Sequence, residues 1–425
     1  MKEVTIYPDS LAGEVFIPPS KSMSHRAVIC AGLSEGISII NNIGISLDIE
    51  ATCEAMRSLG ITVEKAASSL RIKGSAALEL KNTRIDCRES GSTLRFIIPV
   101  AALTGEPVAF YGEGKLVERS LVPYFNIFEK QGIEYKTDSG RLPLHINGRL
   151  APGEFQLEGN ISSQFISGLM FALPLLDGDS RITVTTELES KPYIDLTLKV
   201  LEDFSIHIEN HNYRTFIVKG NQKYKAADYT VEGDFSQAAF WLAAGALGSD
   251  VTCRGLDMGS MQGDKSVLDI MNKMGCRIVA EGDTIRALPA DMKGTVIDAS
   301  QCPDLVPVLA VLGTLSEGRT EIINAERLRL KESDRLKAMS SELGKLGACI
   351  MEEPGGLIIE GRKGLCGGRV DSWNDHRIAM ALAIAATKCD EPVVISNASC
   401  VEKSYPDFWE HYKALGGRID ERDMG

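Results

Sequence analysis

Six segments of this chain open on polar or charged side chains and continue as apolar runs. They begin at Ser20 (Ser-Lys21-Ser22-Met-Ser-His25-Arg26), Ser90 (Ser-Gly91-Ser-Thr-Leu-Arg95), Ser162 (Ser-Ser163-Gln164), Gly233, Cys302 (Cys-Pro303-Asp304) and Asn374 (Asn-Asp375-His376-Arg377). A helix that starts on such a segment offers unpaired N–H groups and the positive end of its dipole, a setting that binds anions. Hydroxyls, amides and cations beside those N–H groups make a cradle for phosphate or carboxylate. Capping by Ser or Asn alone explains any single case. Four such starts that also carry Lys, Arg, His or Gln point to small polyanions as ligands.

The densest charged segment runs from Arg327 to Arg335 and contains Lys331, Glu332 and Asp334. It follows an expected strand at 320–324 and is read as opening a helix that ends near 346. Charge runs are ordinarily solvated helix faces. Here Lys331 and Arg335 fall in the expected first turn, where cations work against the dipole. That placement again suggests an anionic ligand. Lys403 precedes another helix and, on its own, reads as a surface lysine.

Other motifs carry nothing. There is no Walker A and no GxGxxG, so ATP and dinucleotides have no support. The GxSxG match at 32–36 lies at a helix end rather than on a nucleophile elbow. His207 and His211 are four apart, but in a strand and turn rather than on one helix face. The ten cysteines include no CxxC. They read as small buried hydrophobes of a reducing compartment.

The elements that must hold these segments repeat. A helix end, a small residue and an alternating strand recur at Gly60, Gly132, Ser205, Gly275, Gly347 and Gly416, in steps of 72, 73, 70, 72 and 69. Six units of about 71 residues therefore span the 425-residue chain. Each reads as strand, helix, strand, helix, strand, strand. The first helix of each unit is apolar nearly all round and must be buried. The expected fold is α/β, with two domains of three βαβαββ repeats packed around buried helices. The polar stretch 219–228 and the Pro-Pro at 18–19 mark the crossings. Domain I is expected at 1–19 plus 227–425, and domain II at 20–226.

Composition bounds the partners. Net charge is -12, from 46 basic and 58 acidic residues, which argues against nucleic acid or an anionic membrane surface. The longest apolar runs, such as 165–176, span about a dozen residues, where a membrane helix needs roughly 18. The first residues show no leader pattern. A cytoplasmic monomer is the expectation.

Taken together, Lys21-Ser-x-Ser-x-Arg26, Ser162-Ser-Gln164, Ser190-Lys-Pro-Tyr193, Pro303-Asp304, Lys331-Glu-Ser-Asp-Arg335, Asn374-Asp-His-Arg377 and Lys403-x-x-Pro406-Asp resemble the EPSP synthase family of enolpyruvyl transferases. Seven motifs in order across most of the chain make the resemblance specific. It implies an inside-out α/β barrel fold with the active site in an interdomain cleft. It also implies enolpyruvyl transfer from phosphoenolpyruvate (PEP) to the 5-hydroxyl of shikimate 3-phosphate, without metal or cofactor. By the same resemblance, Lys21, Ser22, Arg26, Ser162, Ser163, Gln164, Ser190, Tyr193, Asp304 and Lys331 hold shikimate 3-phosphate. Lys21, Gly91, Lys115, Gln164, Arg335, Arg377 and Lys403 hold PEP. Asp304 takes the hydroxyl proton, with Lys331 as a possible helper. Glu332 and Lys21 are both candidates for proton traffic at the PEP methylene carbon, and His376 supports Glu332.

Two positions depart from the family pattern. Glu89 stands where many members have Asn, and is expected to be ion-paired with Arg95 or Lys115. Lys115 stands where an Arg is usual. Gly91 keeps the small residue beside the PEP site, so inhibition by glyphosate is implied. The competing readings are a UDP-N-acetylglucosamine enolpyruvyl transferase and a non-catalytic binder of PEP or sugar phosphates.

Overall fold

The computed structural model describes residues 2–66 and 68–423. They form six four-stranded sheets in two compact units, Met1–Pro18 with Glu232–Gly425, and Pro19–Val231. Every sheet has one parallel pair followed by two antiparallel neighbours. In one, Arg84–Asp86 runs parallel to Val108–Tyr111, which pairs with Arg141–Asn147 and then Glu134–Asp138. The parallel pair needs a crossover helix and the antiparallel pair only a tight turn, so the pattern is the βαβαββ unit.

The apolar helices lie in the cores. Every residue of Phe235–Ala246, Val306–Thr314 and His376–Ala386 is buried. Only Ser92 of Gly91–Ala101, Gln164 of Ser163–Ala172, and Lys21 and Ser22 of Lys21–Leu33 escape full burial. Those exceptions all lie in the first turn. Burial of the larger apolar side chains, each contributing about 1.5–3 kcal/mol, therefore fixes the helix bodies, while the first turns of Lys21–Leu33, Gly91–Ala101 and Ser163–Ala172 are partly open.

The recurring small residue closes a helix in the left-handed conformation, which suits glycine. Gly60, Gly132, Gly275, Gly347 and Gly416 have φ between 67° and 98°. Ser205 holds the same place at φ 66° without that freedom.

The first eighteen residues hold two strands. Lys2–Tyr7 lies between Val393–Ser396 and Arg418–Asp423. Ala12–Phe16 pairs in parallel with Asp250–Arg254. In return, Asp228–Thr230 pairs in parallel with Gly36–Asn41. At each crossing, then, the strand that precedes a buried helix in sequence pairs within the unit the chain is leaving, and the helix belongs to the unit it enters.

Candidate active site

In the unit containing Glu232–Gly425, the charged groups converge on Asp304, which sits in the 3-10 turn Pro303–Leu305. Its carboxylate accepts from Arg335 Nη1 at 2.8 Å and Arg377 Nη2 at 3.1 Å, with Lys331 Nζ at 3.4 Å. Burial pushes this carboxyl up, but Arg377, Lys331 and Arg335 outweigh it and hold it well below the usual carboxylate range. Lys331 is lowered from the ordinary lysine value, chiefly by burial, against the pull of Asp304.

Arg335 is 1% exposed. Besides Asp304 it donates to Glu332 at 2.7 Å and, through Nε, to Asp375 at 2.8 Å. Three carboxylates thus share one guanidinium, whose planar fork suits such sharing. Asp375 also accepts from the Ser333 hydroxyl at 3.1 Å and from the Arg377 backbone N–H at 2.9 Å, which caps His376–Ala386. His376 is buried, with Nδ1 at 3.9 Å from Asp375. Arg377 Nη2 reaches Ser236, whose hydroxyl donates to Asp234, the cap of Phe235–Ala246. Lys403 is buried and donates to the Asn374 carbonyl at 2.8 Å.

One expectation changes here. The helix begins at Arg335, with Asp334 as its cap, and Glu326–Leu330 is a separate 3-10 turn. Lys331 and Glu332 lie outside the helix, in the link between the two. The side chain of Asp334 takes the Lys337 N–H and starts the helix four residues later than the charge pattern suggests. Of the cations read into the first turn, only Arg335 lies in it, and the three carboxylates offset its charge.

In the unit Pro19–Val231, three groups of side chains gather at helix starts. Lys21 Nζ donates to Asp48 at 2.8 Å, on the first turn of Leu47–Ser58. Arg26 donates to Thr197, to the Ser22 carbonyl and to the Tyr193 carbonyl at 2.7–3.0 Å. Burial pulls its pKa down to about 10, which leaves it cationic. Thr197 in turn meets the Ser167 hydroxyl at 2.7 Å, joining Lys21–Leu33, Ser163–Ala172 and Lys191–Asp203. Ser162 caps Ser163–Ala172, and Ser190 precedes Lys191–Asp203 at φ 57°.

The third group surrounds Gly91. Arg95 Nη1 donates to Gln164 Oε1 at 2.7 Å, and Gln164 donates to Ser92 at 2.9 Å. A Cβ at Gly91 would lie 2.7 Å from Arg119 Nη1 and 3.2 Å from Arg95 Nη1. Arg119 is thus the loop cation beside Gly91. Lys115 is 61% exposed and pairs with Glu118. Both residues belong to the short loop after Val108–Tyr111, and sequence position alone does not show which of them turns inward. Glu89 packs its carboxylate against Gly114.

Behind these groups runs a buried polar chain. His25 Nδ1, Thr52, Thr93 and Ser90 are linked by contacts of 2.7–2.8 Å. It ties the starts of Lys21–Leu33 and Gly91–Ala101 to Leu47–Ser58. Burial, with Lys21 and Arg26 nearby, holds His25 well below its usual pKa, so it is neutral. A cavity of about 580 Å³ lies elsewhere, on the sheet face around Arg84, Tyr111 and His145, and no predicted site residue lines it.

A profile of the family described as EPSP synthase (3-phosphoshikimate 1-carboxyvinyltransferase) matches residues 7–412. The chain belongs to the EPSP synthase family. A relative from Clostridium kluyveri named 3-phosphoshikimate 1-carboxyvinyltransferase is 57% identical over 425 residues, covering both chains completely. One of the same name from Clostridioides difficile is 52% identical, again across the full length of both. The fold matches an EPSP synthase structure from Acinetobacter baumannii with a TM-score of 0.83, at 23% identity and complete coverage of both chains. It also matches the enolpyruvyl transferase NikO from Streptomyces tendae with a TM-score of 0.81, at 17% identity and 99% coverage of each.

Within this EPSP synthase family frame, reading by motif missed Asp48, Arg119, Thr197 and Asp375 as members of the clusters. Asp375 alone carried a signal, since it stands inside the Asn-Asp-His-Arg run. No helix among the described residues is long and apolar enough to cross a membrane.

Proposed function

We propose that this chain transfers the enolpyruvyl group of PEP to the 5-hydroxyl of shikimate 3-phosphate, releasing phosphate, and that it does so as a monomer. The observation that carries the reading is the convergence of Lys331, Arg335 and Arg377 on the half-buried Asp304 carboxylate. Glu332 and Asp375 share Arg335 with it, so the cluster as a whole is near neutral, and the concentration of guanidinium and ammonium donors suits a ligand with several negative charges.

In this reading Ser22, Arg26, Ser162, Ser163, Ser190 and Tyr193 hold shikimate 3-phosphate. Arg26 acts in part by fixing the Ser22 and Tyr193 backbones. Lys21, Gln164, Arg335, Arg377 and Lys403 hold PEP, and Arg119 joins them beside Gly91 in the role first given to Lys115. Both units contribute assigned residues, so turnover requires the whole chain.

The reaction adds the hydroxyl to PEP while a proton goes to the methylene carbon, then reverses the proton transfer as phosphate leaves. A donor and a base must stand within hydrogen-bond reach of those atoms. Asp304 is too well compensated to be a strong base while all three cations face it. A polyanion bound beside Arg335 and Arg377 offsets their charge and raises the basicity of Asp304 when substrate arrives. Lys331, already lowered by burial, is the matching partner for that proton. Glu332 or Lys21 serves the carbon. Fixed cations stabilise the developing charge without reorganising.

The test is phosphate release from PEP and shikimate 3-phosphate without added metal. Absence of release removes the reading. Release only with UDP-N-acetylglucosamine selects the rival transferase. Light scattering after size-exclusion chromatography checks the monomer.

A further inference from the structure

Glu342 lies on the helix Arg335–Lys345, is 1% exposed and belongs to none of the clusters above. Its Oε1 accepts from Trp373 Nε1 at 2.9 Å, and its Oε2 accepts from the Asp371 backbone N–H at 2.8 Å. Lys345, one turn on, pairs with it at 2.7 Å, and the Ser341 hydroxyl donates at 3.0 Å. A buried carboxylate is retained only where donors replace water. Two of these donors come from its own helix. The other two come from the end of the strand Gly368–Asp371 and the turn beyond it.

That turn has a backbone its residues do not favour. Trp373 and Asn374 both have φ 54°, and a bulky aromatic in the left-handed region persists only where its surroundings impose it. Glu342 grips the turn on both sides of Ser372. Further support comes from Asn397, whose side-chain amide donates to Asp371, and from Ser372, whose hydroxyl donates to the Asn397 carbonyl. The far end of the turn feeds the site. The Asn374 carbonyl takes Lys403, and the Asp375 carboxylate takes Arg335 and caps the helix that carries Arg377.

We propose that Glu342 is a positioning residue for the PEP-binding cations. It clamps residues 371–373 so that the strained turn delivers the Asn374 carbonyl to Lys403 and the Asp375 carboxylate to Arg335. The inference deepens the functional reading above and rests on it for the identity of the substrate.

The test compares Glu342→Gln, Trp373→Phe and Lys345→Ala in the full chain. Glutamine offers one acceptor oxygen, so its NH₂ must face either Asp371 N–H or Trp373 Nε1–H. Trp373→Phe removes one of the two grips and keeps the ring. Lys345→Ala removes the ion pair and leaves both grips. The KM for PEP should rise about tenfold in Glu342→Gln, the scale expected for a lost hydrogen bond to a charged group. It should rise by a smaller factor in Trp373→Phe and stay near wild type in Lys345→Ala. The KM for shikimate 3-phosphate should stay within about twofold throughout. Equal rises for both substrates, or Lys345→Ala behaving like Glu342→Gln, would mean a merely structural role and overturn the proposal. Amide hydrogen exchange across 371–375 reads the clamp without any substrate. It should quicken in Glu342→Gln and not in Lys345→Ala, and unchanged exchange in Glu342→Gln refutes the clamp. A wild-type chain without turnover would sink the functional reading and leave the exchange result to judge the clamp alone.

Discussion

Arg335 Nη1 donates to the Asp304 carboxylate at 2.8 Å, from a guanidinium whose Nε is bonded equally closely to Asp375. Position and charge of Asp304 are therefore set by a group that is itself immobilised. Removing the Asp304 carboxylate leaves Arg335, Arg377 and Lys331 less compensated, which favours an incoming anion. Asp304→Ala should lower kcat by about 10²–10⁴-fold, the usual worth of a general base, with the KM for PEP unchanged or lower. Steady-state kinetics with each substrate varied in turn decides it. A kcat within threefold of wild type would take Asp304 out of the proton transfer.

Gly91 and Arg119 give a contrast with Lys115. Arg119→Ala should raise the KM for PEP about 10–100-fold, as expected when a charge-assisted contact is lost, while Lys115→Ala stays near wild type. Gly91→Ala places a methyl 2.7 Å from Arg119 Nη1, the movable end of a long side chain. It should weaken PEP, and glyphosate with it, by about tenfold without unfolding the protein. Inhibition curves at fixed shikimate 3-phosphate measure both. Equal effects from Lys115→Ala and Arg119→Ala would restore Lys115 to the site.

His25 links acidity to stability. Its pKa is depressed in the fold, so its contribution is fully present above the unfolded value of about 6.5. As pH falls from there toward the folded pKa, the unfolded chain takes up a proton that the folded chain refuses. The loss is about 1.4 kcal/mol per pH unit. His411 is also lowered by burial and adds to the wild-type slope. The informative quantity is therefore the difference between wild type and His25→Asn in urea unfolding between pH 7 and pH 5. Parallel curves for the two proteins would contradict it.

Ser205 occupies a left-handed helix end where the other five repeats have glycine. A side chain there costs about 1–2 kcal/mol, and glycine returns part of that gain through its freer unfolded state. Ser205→Gly should stabilise the protein by about 0.5–1 kcal/mol, read as a higher urea midpoint. A lower midpoint would show that the serine has a compensating partner.

The sequence carried the repeat because its signals are local. An all-apolar helix such as Val306–Thr314 and a glycine at a helix end each announce themselves within a few residues. Pairing over long separations is not local. Nothing in Ala12–Phe16 distinguishes Asp250–Arg254 from Gly36–Asn41 as its neighbour, and both are β-rich strands of similar length. The charged residues of the site were visible as motifs, but their mutual bonding was not. Whether Lys115 or Arg119 faces Gly91 depends on a turn of the loop, and whether Lys331 lies in a helix depends on the single cap at Asp334.

The sequence separation of the paired strands has a consequence for synthesis. Unit Pro19–Val231 is one continuous stretch, and its last strand, Asp228–Thr230, leaves the ribosome just before the chain moves on. The strand Lys2–Tyr7, made first, has both of its neighbours beyond residue 390. At about 5–20 residues per second it waits roughly 20–80 s for them with its hydrogen-bonding edges open. During that interval the nascent chain holds a finished half and an unpaired leading strand. Chaperone dependence should therefore track the N-terminal eighteen residues more than any part of the site.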